Sequence, residues 1–198
     1  NALTGLRQHT GNWPGKTVER KEGEFKHNGR LVKVVDLPGT YSLTAVSAEE
    51  IAARDFIVEG NPDAVIVIVD ATNLERNLYL VLQVLELTDN VVVALNMMDQ
   101  VESKGVKIDL GALSEQLGVP VIPIVALKKE GIPQLVETVM EICEGKRALH
   151  PVGVTFDESI EQNIAQLEHT IGNCDYPSRW LAIKLLEGDT DVKEMLQA

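Results

Sequence analysis

Four short stretches carry residues whose types suit nucleotide chemistry. Asp36-Leu37-Pro38-Gly39 places a carboxylate after the apolar run "LVKVV". A carboxylate at the end of a strand can hold Mg²⁺, usually through water. Gly39 offers a backbone N–H that a terminal phosphate can approach without meeting a side chain. Asn96-Met97-Met98-Asp99 ends the run "VVVAL". An aspartate there can accept two hydrogen bonds from the Watson–Crick edge of guanine. Adenine lacks that donor pair and would leave the carboxylate desolvated and unpaired, a loss worth orders of magnitude in selectivity. Met97 stands where the N-K-x-D pattern has lysine, and its unbranched stem can still cover a base face, without the charge. Val125-Ala126-Leu127 ends "PVIPI". The Ala126 N–H suits guanine O6, and a backbone contact survives the replacement of the usual Ser by Val125.

Gly15-Lys16-Thr17 has the tail of a phosphate-binding loop but not the loop. G-x-x-x-x-G-K-[ST] needs four residues between its glycines, and Gly11 and Gly15 enclose three. "NALTGLRQHT" before it is no apolar strand. "VERKEGEFKHNG" after it alternates like a strand, where a helix N-terminus should help hold phosphates. Thr17 fits a different role. The loop upstream of a D-x-x-G strand supplies a threonine that binds Mg²⁺ and senses the γ-phosphate, the first switch of a GTPase. Lys16 is then a switch or surface lysine.

These residues need strands to hold them. "DAVIVIVDAT" reads as a continuous apolar strand buried on both faces of a parallel sheet, and "NVVVALNMMD" and "PVIPIVAL" read the same way. Leu74, Leu78, Val81, Leu82 and Leu85 share one helix face, with Asn73 as N-cap. Further helices are expected near 46–59, over "DLGALSEQLG" with Gly118 as its stop, and over "IPQLVETVMEICEG". Alternating strands and helices from 16 to about 144 imply right-handed crossovers and a mostly parallel sheet. In open α/β sheets ligands bind beyond the carboxyl ends of the strands, where Asp36, Asn96, Asp99 and Ala126 all fall. After "HPVGVTF" come two amphipathic stretches, so a boundary is placed at about 150, with an α/β domain over 1–150 and a small helical unit over 151–198.

Composition narrows the classes. The 198 residues carry 18 basic and 30 acidic side chains, a net charge of −12, which argues against a general nucleic-acid or anionic-membrane binder. Residues 151–198 alone hold three basic against nine acidic groups. Cys143 and Cys174 make no disulfide framework or metal spacing, and the four histidines are scattered. No apolar run approaches bilayer length. Trp13 and Pro14 read either as a partner-binding tip or as a locally packed loop. Tyr176 and Trp180 read as core of the helical unit, and the carboxylates of 157–168 as a solvated helix face.

"LTGLRQHTGNWPGKTVERKEGEF", "DLPGTYSL", "ALNMMD" and "YPSRWLAIKLLEGD" together resemble the amino-terminal cytosolic part of the ferrous iron transport protein B (FeoB) family over nearly the whole chain. The resemblance implies a P-loop GTPase-like α/β fold whose first strand and P-loop are missing here, followed by part of a helical domain described as a guanine-nucleotide dissociation inhibitor. It implies GTP-binding and GTP-hydrolysing activity that regulates Fe(II) uptake at the cytoplasmic side of the cell membrane, this segment itself being soluble. Thr17 matches the first-switch Mg²⁺ ligand, Asp36 and Gly39 the second switch, Asn96 and Asp99 the base-reading motif, and Ala126 its fifth element. Thr40 stands where Ras-like GTPases place a water-orienting Gln, so hydrolysis must be organised differently and no catalytic residue is assigned. The family is similar to potassium-stimulated GTPases; K⁺ joins Mg²⁺ and GTP/GDP as an implied cofactor, with no residue here to hold it.

The expected partners are guanine nucleotide and a transmembrane iron channel of the same polypeptide, with a homo-oligomer left open and no nucleic acid. Lacking the backbone cradle, the phosphate lysine and the Ser/Thr ligand of Mg²⁺, the chain is expected to bind GTP poorly and to leave two sheet edges exposed. The alternative is a non-enzymatic pseudo-GTPase that binds a partner through its switch surface and acidic tail.

Overall fold

The computed structural model describes residues 8–13, 18–40, 42–43, 47–172 and 174–196. Gln8–Asn12 (β1), Glu19–His27 (β2) and Arg30–Asp36 (β3) form one antiparallel sheet in the order β1-β2-β3. Asn28 and Gly29 make the β2–β3 turn with φ of 47° and 80°. Two left-handed residues match the right-handed twist of a hairpin, which is why Asn-Gly sits there. This hairpin is the exception to strand–helix alternation. The other departure is β1: the polar run at its position gave no strand signal. An outer strand needs only backbone pairing on one side, so an apolar pattern is not required of it.

The second sheet is parallel, as the apolar runs predicted. Val65–Asp70 (β4), Val91–Asn96 (β5) and Val121–Pro123 (β6) pair in the order β4-β5-β6. Ala48–Glu59 (α1) precedes β4, Leu74–Leu85 (α2) joins β4 to β5, and Met98–Ser103 (α3) and Leu110–Leu117 (α4) lie between β5 and β6. Ile132–Cys143 (α5) follows β6. Successive side chains of a strand point to opposite faces, and β5 shows the consequence. Val91, Val93 and Leu95 pack with Val81, Val84 and Leu85 of α2. Val92 and Ala94 pack with Ile132, Leu135 and Ile142 of α5.

The strand β4 departs from expectation. Val65, Val67 and Val69 are buried toward α2, but Ile68 on the other face is 65% exposed. Among the described residues β1 and β3 are the outer strands of the first sheet, and β4 and β6 those of the second. Asn73 does sit at the N-cap of α2, but its side chain makes no cap bond. It donates instead to Asp70 at 3.1 Å, because Asp70 already caps the one-turn 3₁₀ segment Ala71–Asn73 through Thr72 N. Helix α1 starts at a capping box, Ser47 with Glu50, a sequence signal present but not used in placing it. Helix α4 ends at Gly118 as predicted.

Glu158–Ile171 (α6), Ser178–Glu187 (α7) and Thr190–Met195 (α8) form the helical unit. Its inner cluster is Ile164, Ala182 and Ile183. Tyr176 and Trp180 are not in that cluster. They lie with Leu181 and Val192 in the core of the parallel sheet, beside Ile57, Val84 and Leu85. Trp180 is 0% exposed and stacks on Tyr176 at 5.6 Å. The Arg54 guanidinium of α1, only 6% exposed, lies over both rings at 5.8 and 5.7 Å. Tyr176 Oη donates to Asp55 at 3.0 Å, and burial pushes its hydroxyl pKa up. The acidic face of α6 is also more engaged than expected. Arg179 grips Glu161 with two bonds of 2.8 Å, and Ser178 donates to Glu168.

Trp13 is packed, not a projecting tip. It is buried against Val18, Ala52 and Phe56, with Arg20 4.8 Å above its ring. Pro14 lies outside the described residues.

Candidate guanine-binding rim

The parallel register aligns Asp70 with Asn96 at the carboxyl ends of β4 and β5. Beyond Asn96 the chain must leave the sheet at once. Met97 does this with φ 65° and ψ 27°, a left-handed conformation that costs a non-glycine residue roughly 1–2 kcal/mol. The turn sets Asp99 in the first turn of α3.

The third part of the rim is the loop after β6. Ala126–Lys128 form one 3₁₀ turn. Val125 N donates to Glu130 O at 3.1 Å and Glu130 N to Val125 O at 3.3 Å, closing the loop on itself. Lys129 at φ 59° and Gly131 at φ 74° reverse the chain into α5. A Cβ on Gly131 would lie 2.1 Å from Pro123 O, so only glycine fits.

Side chains tie the loop to the strand. Asn96 Oδ1 accepts the Ala126 N–H at 3.1 Å. Lys128 Nζ lies 2.9 Å from Asp99 Oδ2. That bond is the main reason the Asp99 pKa falls below the ordinary aspartate range, and it raises that of Lys128 in turn. The structure thus brings Asn96, Asp99 and Ala126 together on one rim. Leu127, 94% exposed, projects beside them.

Asp36 and Gly39 belong to the other sheet, at and just beyond the end of β3. Asp36 is exposed and faces Lys21 in register. The space a side chain on Gly39 would fill is open. Thr40 Oγ1 donates to the Ser42 carbonyl. Leu43 N, three residues beyond Thr40, donates to buried Gln83 Oε1 at 2.8 Å, anchoring the segment on α2. Thr17 lies outside the described residues.

Sequence reasoning passed over Lys128, Asp70 and Gln83. Asp70 accepts from Thr72 N and Oγ1, both at 2.8 Å, and from Asn73. Its D-x-T spacing at a strand end was a legible turn signal. Gln83 and Lys128 act through tertiary contacts 40 and 29 positions away, which no local pattern reveals. Among the described residues no group of three His, Cys, Asp or Glu side chains is placed to hold a metal ion. The Asp36 carboxylate is a hard oxygen ligand of the kind that Mg²⁺ takes together with several waters. No helix among the described residues is long and apolar enough to cross a membrane.

A parallel sheet flanked by helices, with Asn96, Asp99 and Ala126 gathered on its carboxyl rim and a helical unit after it, places the molecule in the α/β G-domain class. Residues 1–139 match the family model "Ferrous iron transport protein B", and residues 156–198 match "FeoB cytosolic helical domain". The chain belongs to the ferrous iron transport protein B family. It is 43% identical to the Fe(2+) transporter FeoB of Escherichia coli, over 96% of this chain and 25% of that protein. It is 41% identical to an Fe(2+) transport protein A/FeoB fusion protein of Porphyromonas gingivalis, over 99% of this chain and 24% of that one. The chain therefore spans about a quarter of the length of these relatives. Its fold matches crystal structures of the cytosolic domain of the T. maritima FeoB iron transporter. The GDP form II superimposes with a TM-score of 0.93 at 37% identity, covering 99% of this chain and 78% of that one. The GMPPNP form gives 0.92 at 36%, covering 99% and 78%.

Proposed function

We propose that residues 1–150 are the base-reading part of a GTPase domain and residues 151–198 part of its helical regulator. The parent polypeptide couples GTP binding and hydrolysis to Fe(II) uptake through a transmembrane channel, with this segment on the cytoplasmic side. Asp99 accepts the two N–H donors of guanine, Ala126 N–H reaches O6, and Asn96 fixes the loop that carries it. Gly39 N–H meets the terminal phosphate, while Asp36 and Thr17 hold Mg²⁺. K⁺ would act at the phosphates, away from any residue assigned here. The observation that carries the reading is the Asn96–Ala126 bond beside Asp99 on the carboxyl rim. The solved relatives in GDP and GMPPNP forms support it by likeness. No G-x-x-x-x-G-K-[ST] occurs in the 198 residues, so these residues alone bind nucleotide weakly and hydrolyse it negligibly.

The test is a fluorescence titration of the full-length protein carrying this sequence with mant-GDP and mant-ATP, paired with a GTP hydrolysis assay. Saturable binding that favours guanine, lost in Asp99→Ala, is expected. A preference for adenine, or no saturable binding, overturns the reading.

A further inference from the structure

The base-reading groups of the rim already have partners within the protein. Ala126 N–H is donated to Asn96, and the Asp99 carboxylate is held by the Lys128 ammonium. The two differ in kind. The first is a neutral bond that leaves the N–H able to share a second acceptor. The second is a full positive charge on an oxygen that an incoming base also requires.

We propose that Lys128 is an internal competitor for the base site, an ammonium that stands in for the guanine N–H donors and must be displaced before the base binds. The proposal rests on Asp99 being the guanine acceptor. Guanine presents two adjacent donors that together need both carboxylate oxygens, and Lys128 Nζ is 2.9 Å from one of them. The loop backbone holds the lysine over this spot. Lys128 N donates to Val125 O at 3.0 Å, within a loop closed by Val125 and Glu130 and tethered by Asn96. Once displaced, the ammonium has other acidic neighbours. The fields of Glu130 and Glu102 already act on it, so moving aside does not strand the charge. Lys128 is thus a specificity-positioning residue acting through Asp99. It raises the threshold for any ligand that cannot replace an ammonium with paired donors.

Both partners are solvent-accessible, so the effect is modest. An exposed ion pair of this kind corresponds to about a two- to fivefold change in affinity. Its sign is diagnostic. Removing a cation near a polyphosphate ordinarily weakens binding; removing a competitor tightens it.

The experiment is mant-GDP titration of the full-length protein in sodium chloride, comparing wild type with Lys128→Met, Lys128→Arg, Asp99→Asn and the double variant. Lys128→Met is expected to bind about two- to fivefold tighter at low salt, the gap closing near about 0.5 M as screening releases the wild-type bridge. Lys128→Arg, whose planar fork can hold both carboxylate oxygens, binds no tighter than wild type. On the Asp99→Asn background Lys128→Met changes nothing. Unchanged or weaker binding by Lys128→Met overturns the proposal. Asp99→Asn tests the premise separately, with lower GDP affinity and a gain for xanthosine diphosphate expected. If Asp99→Asn binds GDP normally, base reading by Asp99 and competition by Lys128 both fail.

Discussion

Asn96 and Ala126, thirty positions apart, are joined by one hydrogen bond of 3.1 Å from the alanine N–H to the asparagine side-chain carbonyl. It links the end of β5 to the loop after β6, so two separate sequence motifs become one surface. Asn96→Ala leaves that N–H without its partner. The expected cost is about 1 kcal/mol of stability by urea denaturation. Nucleotide affinity should fall with it, since the loop loses its tether.

Gly131 sets the same loop from its far end. Gly131→Ala meets both a left-handed backbone and a carbonyl at 2.1 Å. A loss of at least about 1–2 kcal/mol is expected from the conformation alone, before the clash is counted. Amide shifts in an NMR spectrum should move at 125–130 and hardly at all in α6–α8.

How much of this was legible beforehand differs by element. The parallel strands were readable because each is an apolar run rich in β-branched residues, closed by a polar residue in β4 and β5, and burial on both sides of β5 leaves that run no alternation. The position of Asn96, Asp99 and Ala126 was readable because each lies at or just past the end of an apolar strand, where α/β sheets present their rim. The first strand was not, because Gln8–Asn12 is held by backbone bonds that carry no side-chain signature. Lys128 was not, because a lysine in a loop looks like any solvated charge until its partner is placed. Tyr176 and Trp180 were correctly read as buried but assigned to the wrong neighbours. Periodicity says that a face is apolar and not what covers it.

Tyr176→Phe removes a hydroxyl that donates to Asp55 at 3.0 Å and lies 3.4 Å from Glu59. A hydrogen bond to a charged acceptor contributes about 1.5–3 kcal/mol, so a loss toward the lower end is expected in chemical denaturation. Trp180→Ala, in a site with no solvent access, should cost about 3–5 kcal/mol.

The Glu161 carboxyl is lowered to about 2, first by its bonds from Arg179 and then by the Phe156 N–H. A folded-state pKa below the unfolded value means that the stabilisation is full above the ordinary glutamate pKa. It is lost as pH falls from there through about 2. Glu161→Gln should therefore flatten the acid limb of a stability–pH profile in that window and leave its neutral arm parallel to wild type.

Arg54, Tyr176 and Trp180 knit α1 to the segment around α7, and Leu181 and Val192 are continuous with the apolar interior under β4 and β5. A line drawn at residue 150 separates two stretches of chain that share one apolar interior, so they are expected to unfold as one cooperative unit. Heating should melt both in a single transition. Cutting the polypeptide near that line would leave each piece with bare hydrophobic surface and a tendency to aggregate, rather than two autonomous modules.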